Sequence, residues 1–300
     1  MKILVTGKNG QVGHELMRAL APLGQVVGVD VKECDLAQSA AVDALLDRVR
    51  PDVIVNPAAY TEVDKAESQP TIAHAVNAQA PKLLARYAAR HNIPIIHFST
   101  DYVFDGTKEA PYSEEDEANP RSVYGKTKWL GEEAVRKMAA KHIIIRTSWV
   151  FGSHGVNFLK TMLKLAQERD KLSVVSDQYG APTSAKMLAD AVAQIVTELN
   201  EPGSYRKYGT YNIVARGETS WHGYATLVVE KAIELGLDIK ISPKDIKPIL
   251  SKEYPMPAPR PSNSRLDTAK VSKVFSVRLP KWQDEVESVI KELVKVKSDV

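Results

Sequence analysis

The 300-residue chain has a single cysteine, Cys34, so it can form no internal disulfide and no thiolate metal cluster. No apolar run approaches the length of a membrane span, and the opening "MKILVTG" reaches a glycine too soon for a signal-peptide core. The expectation is a cytoplasmic protein with no membrane partner. Neither sign of charge dominates: 40 Lys and Arg are interspersed with 37 Asp and Glu, for a net charge of +3. No basic stripe results, which argues against nucleic acid as a partner. Internal repeats and low-complexity tracts are absent. The hydrophobic share of 44% and charged share of 26% are those of a globular protein with ample chain to bury a core.

The first half alternates two patterns. "KILVT" (2–6), "QVVGVD" (25–30), "DVIVNP" (52–57), "IPIIHFS" (93–99) and "HIIIRTS" (142–148) are short β-branched runs that read as buried parallel strands. Helical stretches such as 12–24 and 80–92 lie between them, so the fold expected is α/β, a Rossmann-type doubly wound parallel sheet. Further strands are expected at 172–177 and 210–214, and an amphipathic helix at 282–297. The proline-rich 256–263 must be extended or looped. The resulting division is a dinucleotide-binding domain over 1–150, with 171–215 returning to its sheet. A smaller lobe, mainly for substrate, would occupy 151–300.

"TGKNGQVG" places Gly7, Gly10 and Gly13 directly after the first strand, with Gln11 and Val12 opening the first helix. Glycines there let backbone N–H groups approach a pyrophosphate, and the helix N-terminus favours its charge. Asp30 ends the second strand, twenty residues after Gly10, where an acid accepts hydrogen bonds from adenosine ribose hydroxyls. Asp30 repels a 2′-phosphate, whereas Lys8 and Lys32 could receive one, so NADH and NADPH both remain open as the cofactor. Asp35 and Leu36 either cap the adenine or start the next helix.

"FSTDYVFDG" (98–106) puts Ser99 and Thr100 at the C-terminal end of the fourth strand, where an open α/β sheet meets its ligand. Tyr124 and Lys128 follow in "VYGKTKWLGE", at the i and i+4 spacing that shares a helix face. A free phenol has a pKa of about 10, and bringing it toward 7 takes roughly 4 kcal/mol. The Lys128 ammonium is expected to lower the Tyr124 pKa by stabilising phenolate. Thr100 is the natural third member of this group.

Glycine loop, strand-end threonine and YxxxK in this order resemble the extended short-chain dehydrogenase/reductase superfamily over the first 150 or so residues. The resemblance implies that Tyr124 is the general acid/base and that Lys128 also holds the nicotinamide ribose. The superfamily's sugar-nucleotide dehydratases carry Asp-Glu after the threonine, but here Asp101 is followed by Tyr102, which points to simple carbonyl reduction. "STDYVFDG", "RTSWVFG", "NFLKTML", "DQYGAPTSA" and "RPSNSRLD" extend the match over nearly the whole chain, and are similar to the dTDP-4-dehydrorhamnose reductase family.

That family implies reduction of a C4 ketone on a dTDP-sugar by NADPH or NADH. It also implies that Ala58, Ala59, Tyr60 and Phe98 line the cofactor, and that Thr100, Asp101, Tyr102 and Trp149 contact the sugar. Asn157 would join the substrate site unless it only caps a helix, and Arg260 would bind the diphosphate unless it faces solvent. Some members dimerise through Mg2+ held by carboxylates. Glu15 matches one of these, but Lys186 stands in the other place and is no oxygen donor. No metal site is therefore expected, and the chain is expected to be a monomer or a homodimer.

Overall fold

A computed structural model describes residues 1–201 and 203–298, with side chains through 295. Residues 202, 299 and 300, which fall in the expected second lobe, lie outside the described residues.

Five of the β-branched runs form strands β1 (Lys2–Thr6), β2 (Gln25–Val29), β3 (Val53–Asn56), β4 (Ile95–Thr100) and β5 (His142–Thr147). Backbone groups buried on both faces have only one another as partners, so the runs pair side by side. A sixth strand, Gly209–Asn212, adds to the edge beyond β5. The order is Gly209–Asn212, β5, β4, β3, β1, β2, and every pairing is parallel. The pleat sorts the apolar side chains. Ile3, Val5, Ile96, Ile143 and Ile145 face one core, while Leu4, Ile54, Ile95 and Ile144 face the other.

The first core is closed by α1 (Gln11–Leu20) and by a covering helix, Ala185–Leu199, that packs against it. Leu188, Val192, Ile195 and Leu199 of the covering helix recur at helical spacing and are buried. Burying each such side chain is worth roughly 1.5–3 kcal/mol. The second core is closed by α2 (Ser39–Val49), the helix Ala80–His91 and the helix Val123–Met138.

The expected return of 171–215 to the main sheet divides. Its covering helix and the strand Gly209–Asn212 join the sheet's layers. Leu172–Val175 instead pairs in parallel with Ile246–Ile249 in a two-stranded sheet of its own. The proline-rich 256–263 carries no helix and runs back to the first half, where Asn263 N–H donates to the Gly106 carbonyl at 3.2 Å. Among the described residues no helix is long and apolar enough to cross a membrane.

Chain order reverses between β1 and β3. From β1 the chain steps to β2 on one side, then crosses to β3 on the other. A crevice must open there at the strands' C-terminal ends.

Candidate active site

The crevice is a cleft of about 540 Å³. Its walls include Gly7, Gly10, Gln11, Val12 and Gly13 from the first turn, Asp30, Asp35 and Leu36 after β2, and Ala58 and Ala59 after β3. Phe98, Tyr124 and Lys128 complete its deep end. The first turn is drawn tight. A Cβ on Gly13 would lie 1.9 Å from the Gly7 carbonyl oxygen, so only glycine lets α1 start this close to β1. Helix α1 has Gly10 at its N-cap, with no side-chain cap and no acid in its first turn. Its leading N–H groups are thus left for an anion. The hydroxyls of Ser99 and Thr147, buried at the ends of β4 and β5, line the cleft and have no hydrogen-bond partner among the described residues. A dinucleotide's diphosphate at the helix end and its ribose hydroxyls deeper in fit these donors and acceptors.

Tyr124 enters from the helix Val123–Met138. Ser122 caps this helix by accepting from Gly125 N–H at 3.1 Å. Gly125 also lets the helix approach the strand end, since a Cβ there would lie 2.2 Å from the Tyr102 carbonyl oxygen. The Tyr124 ring meets the Tyr102 ring edge-on, with centroids 5.4 Å apart. One turn on, the fully buried Lys128 donates from Nζ to the Phe98 carbonyl at 2.5 Å. Thr100 Oγ1 donates to Asp101 Oδ1 at 2.9 Å and accepts from Tyr102 N–H at 3.2 Å. Beneath them, Arg146 of β5 and Glu132 of the Tyr124 helix form a buried ion pair at 2.7 Å that ties helix to sheet. Truncating one partner of such a pair costs about 3–5 kcal/mol.

The electrostatics correct one expectation. Tyr124 titrates above the usual phenol range, not below it, because burial outweighs the Thr100 hydroxyl that favours phenolate, and Asp101 adds to the upward push. Lys128 gives one of its N–H donors to the Phe98 carbonyl, and burial lowers its pKa to about 8 against the pull of Glu132. Asp101 is pushed up to about 6, again by burial, with the Ser264 and Thr100 hydroxyls opposing. The polypeptide therefore holds Tyr124 as a neutral phenol at physiological pH, ready to give a proton.

A second cavity of about 270 Å³ lies on the far side of Tyr102, walled by Tyr102, Arg121, Pro259, Arg260 and Pro261 among others. Arg260 pairs there with Asp64 at 2.6 Å.

Five of the expected site residues line neither cavity: Thr100 and Asp101, which are buried and hold each other as described above, and three that are engaged elsewhere. Tyr60 does not line the cleft; its N–H donates to Asn77 Oδ1 at 2.8 Å and its hydroxyl to Gln69 Oε1 at 2.7 Å. Trp149 lies outside both cavities, stacked on Trp221 with centroids 3.7 Å apart, and holds φ at 49°. That value is rare for a bulky residue. Asn157 caps the helix Phe158–Glu168 by accepting from Lys160 N–H, and its amide donates to Gln11 Oε1 at 2.9 Å. It serves the glycine loop, away from the second cavity. Glu15 and Lys186 join one surface network through Arg18 and Asp190. Among the described residues no group of three or more His, Cys, Asp or Glu could hold a metal ion.

Several contributors carry no sequence signal. Asn77, in a π-helical turn at Ala75–Gln79, grips Tyr60 and donates to Thr127 Oγ1 on the Tyr124 helix. The 152–157 loop brings Gly155 and Val156 onto the cleft. Only its Gly155, at φ 75°, hinted at a tight turn.

A doubly wound sheet with a glycine turn at its switch point and a buried Tyr-Lys-Thr group at the cleft's end defines a Rossmann-type oxidoreductase of the short-chain dehydrogenase/reductase class. Residues 1–295 match the family model described as RmlD substrate binding domain. The chain is 46% identical to dTDP-4-dehydrorhamnose reductase of Salmonella typhimurium, over 98% of each chain. It is 45% identical to the Escherichia coli K12 enzyme of that name, again over 98% of each. A crystal structure of the Bacillus anthracis dTDP-4-dehydrorhamnose reductase in complex with NADP superposes with a TM-score of 0.88. It has 30% identity and covers 97% of this chain and 99% of that one. The chain belongs to the dTDP-4-dehydrorhamnose reductase family.

Proposed function

We propose that the protein reduces the C4 ketone of dTDP-4-dehydro-L-rhamnose (dTDP-6-deoxy-L-lyxo-4-hexulose) to give dTDP-L-rhamnose, in the cytoplasm, for cell-surface polysaccharide synthesis. The observation that carries this reading is the seam between the cavities, where one buried phenol, Tyr124, faces the cleft and touches the ring that walls the second cavity. A bound NADH or NADPH supplies the hydride. Lining residues from Gly7 to Phe98 hold the dinucleotide in the cleft, and the nucleotide sugar lies toward Arg260 and Arg121 with its ketone at Tyr124. The domain division follows: residues 1–150 with the returning strand and helix bind the dinucleotide, and most of 151–300 shapes the sugar site.

Hydride arrival at C4 leaves an alkoxide more basic than phenolate, so a phenol held neutral is the right donor. Tyr124 gives its proton to that oxygen. The phenolate that remains is favoured by the Thr100 hydroxyl, with Lys128 one helical turn away on the same face and low-dielectric surroundings strengthening such terms. Asp101 and Tyr102 orient the sugar hydroxyls. Reprotonation of Tyr124 then resets the site.

The test combines purified protein, dTDP-4-keto-6-deoxyglucose, a 3,5-epimerase and NADPH or NADH. The expected result is cofactor oxidation with stoichiometric dTDP-L-rhamnose. No turnover with either cofactor removes the reading, and an epimerised sugar with no net cofactor consumption replaces it with an epimerase.

A further inference from the structure

The tip of β2 bears on which dinucleotide the cleft takes, a question that rests on the reductase reading above. Asp30 is fixed at the cleft wall: its Oδ2 accepts from Asn9 N–H at 2.9 Å and its Oδ1 from Val31 N–H at 2.8 Å. Three residues on, the Glu33 side chain turns back onto the same place. Its Oε2 accepts from Asp30 N–H at 2.9 Å, and its Oε1 pairs with Lys8 Nζ at 2.6 Å. Lys8 sits in the glycine turn, its N–H donating to the Val29 carbonyl at 3.1 Å. Two anchored carboxylates and one cation therefore meet where Asp30 would hold the adenosine ribose.

A plain ribose asks this corner only for hydroxyl acceptors, which Asp30 provides. A 2′-phosphate brings close to two negative charges and needs donors. Lys8 is the cation of the glycine turn, and Glu33 already occupies it. An exposed ion pair is individually weak, so the phosphate could compete for Lys8. Glu33 would still remain, because its second oxygen is tied to the Asp30 backbone, and the phosphate would sit beside two carboxylates. We propose that Glu33 is a specificity-determining residue. By engaging Lys8 and adding a second fixed carboxylate beside Asp30, it disfavours a 2′-phosphate and tilts the protein toward NADH.

The experiment measures dissociation constants of NADH and NADPH, and of the fragments 5′-AMP and 2′,5′-ADP, for the intact protein without sugar. Wild type is expected to bind NADH more tightly than NADPH. Glu33→Gln should improve NADPH and 2′,5′-ADP binding by about tenfold while leaving NADH and 5′-AMP within about twofold, since a charge-assisted contact with phosphate is gained. The gain should shrink with added salt and vanish in the Glu33→Gln, Lys8→Met double variant. A wild type that prefers NADPH overturns the proposal. So does a Glu33→Gln change that is equal for both cofactors, or a gain that survives loss of Lys8, which would assign it to Lys32. Binding is read without the ketosugar, so a failed reductase assay beside an intact preference would strike the reductase reading alone.

Discussion

The two cavities on either side of the Tyr102–Tyr124 ring contact are built in opposite ways. The cofactor cleft is assembled from turns that directly follow strands, most within the first 60 residues, and each turn presents backbone or a short side chain. The second cavity draws Tyr102 to Thr107, Arg121 to Ser122 and Pro259 to Pro261 from three distant stretches, and presents guanidinium groups and rings. A ligand portion shared by many enzymes is met by geometry that sequence-local motifs can encode. The second cavity, where the proposal puts the sugar nucleotide, is made by side chains brought together only by the fold.

The largest blow to this division falls at the seam. Tyr124→Phe removes the proposed proton donor and should lower kcat by about 10³-fold, within the range for general acid catalysis. Dissociation constants for cofactor and sugar nucleotide should stay near wild type, and a variant that keeps most of its rate removes Tyr124 from the mechanism. Next, Gly13→Ala pushes a methyl into the Gly7 carbonyl. It should weaken dinucleotide binding by roughly 100-fold, the cost of a displacement near 1 Å, and spare binding of the sugar nucleotide. Equal losses for both ligands would mean that the cavities are not separate units.

Arg260→Ala is the mirror test. It should raise KM for the sugar nucleotide by about 10-fold or more, the worth of a charge-assisted hydrogen bond, with cofactor affinity unchanged. An unchanged KM would show that the Arg260–Asp64 pair is only structural.

The smallest effect concerns pH. Asp101 is raised to about 6 in the fold from about 3.9 in an unfolded chain. Between these values the folded state holds a proton that the unfolded state has lost, so this group's contribution is greatest at low pH and is lost as pH rises through 6. Denaturant titrations from pH 4 to 7 should show Asp101→Asn gaining on the order of 2 kcal/mol relative to wild type across that window. Parallel curves for the two proteins would contradict the burial argument.

Legibility followed the same line as construction. Ile143, Ile144 and Ile145 announced a strand because a parallel strand is apolar on both faces. That Gly7, Gly10, Tyr124 and Lys128 line the cleft is legible because one turn or one helix sets their spacing. The Tyr124 pKa is misjudged from sequence because spacing shows the Lys128 partner but not the burial that raises the phenol, nor Asp101 beside it. Asn77 was invisible because its partners, Tyr60 and Thr127, lie 17 and 50 residues away. Leu172–Val175 has the composition of a central strand, but its partner Ile246–Ile249 is some seventy residues on, and nothing local reveals that choice.

The closing of the first core by Ala185–Leu199, and of the sheet edge by Gly209–Asn212, has a consequence for synthesis. When residue 150 leaves the ribosome, the nascent chain has all the cofactor motifs but lacks the helix that covers Ile3, Val5 and Leu16. Those side chains must wait through sixty more residues, several seconds at ordinary translation rates of about 5–20 residues per second. During that interval the apolar face is open to chaperones and to other chains. A fragment ending near 150 should therefore be recovered as aggregate, and one ending beyond 215 should be the first to show a protected β1.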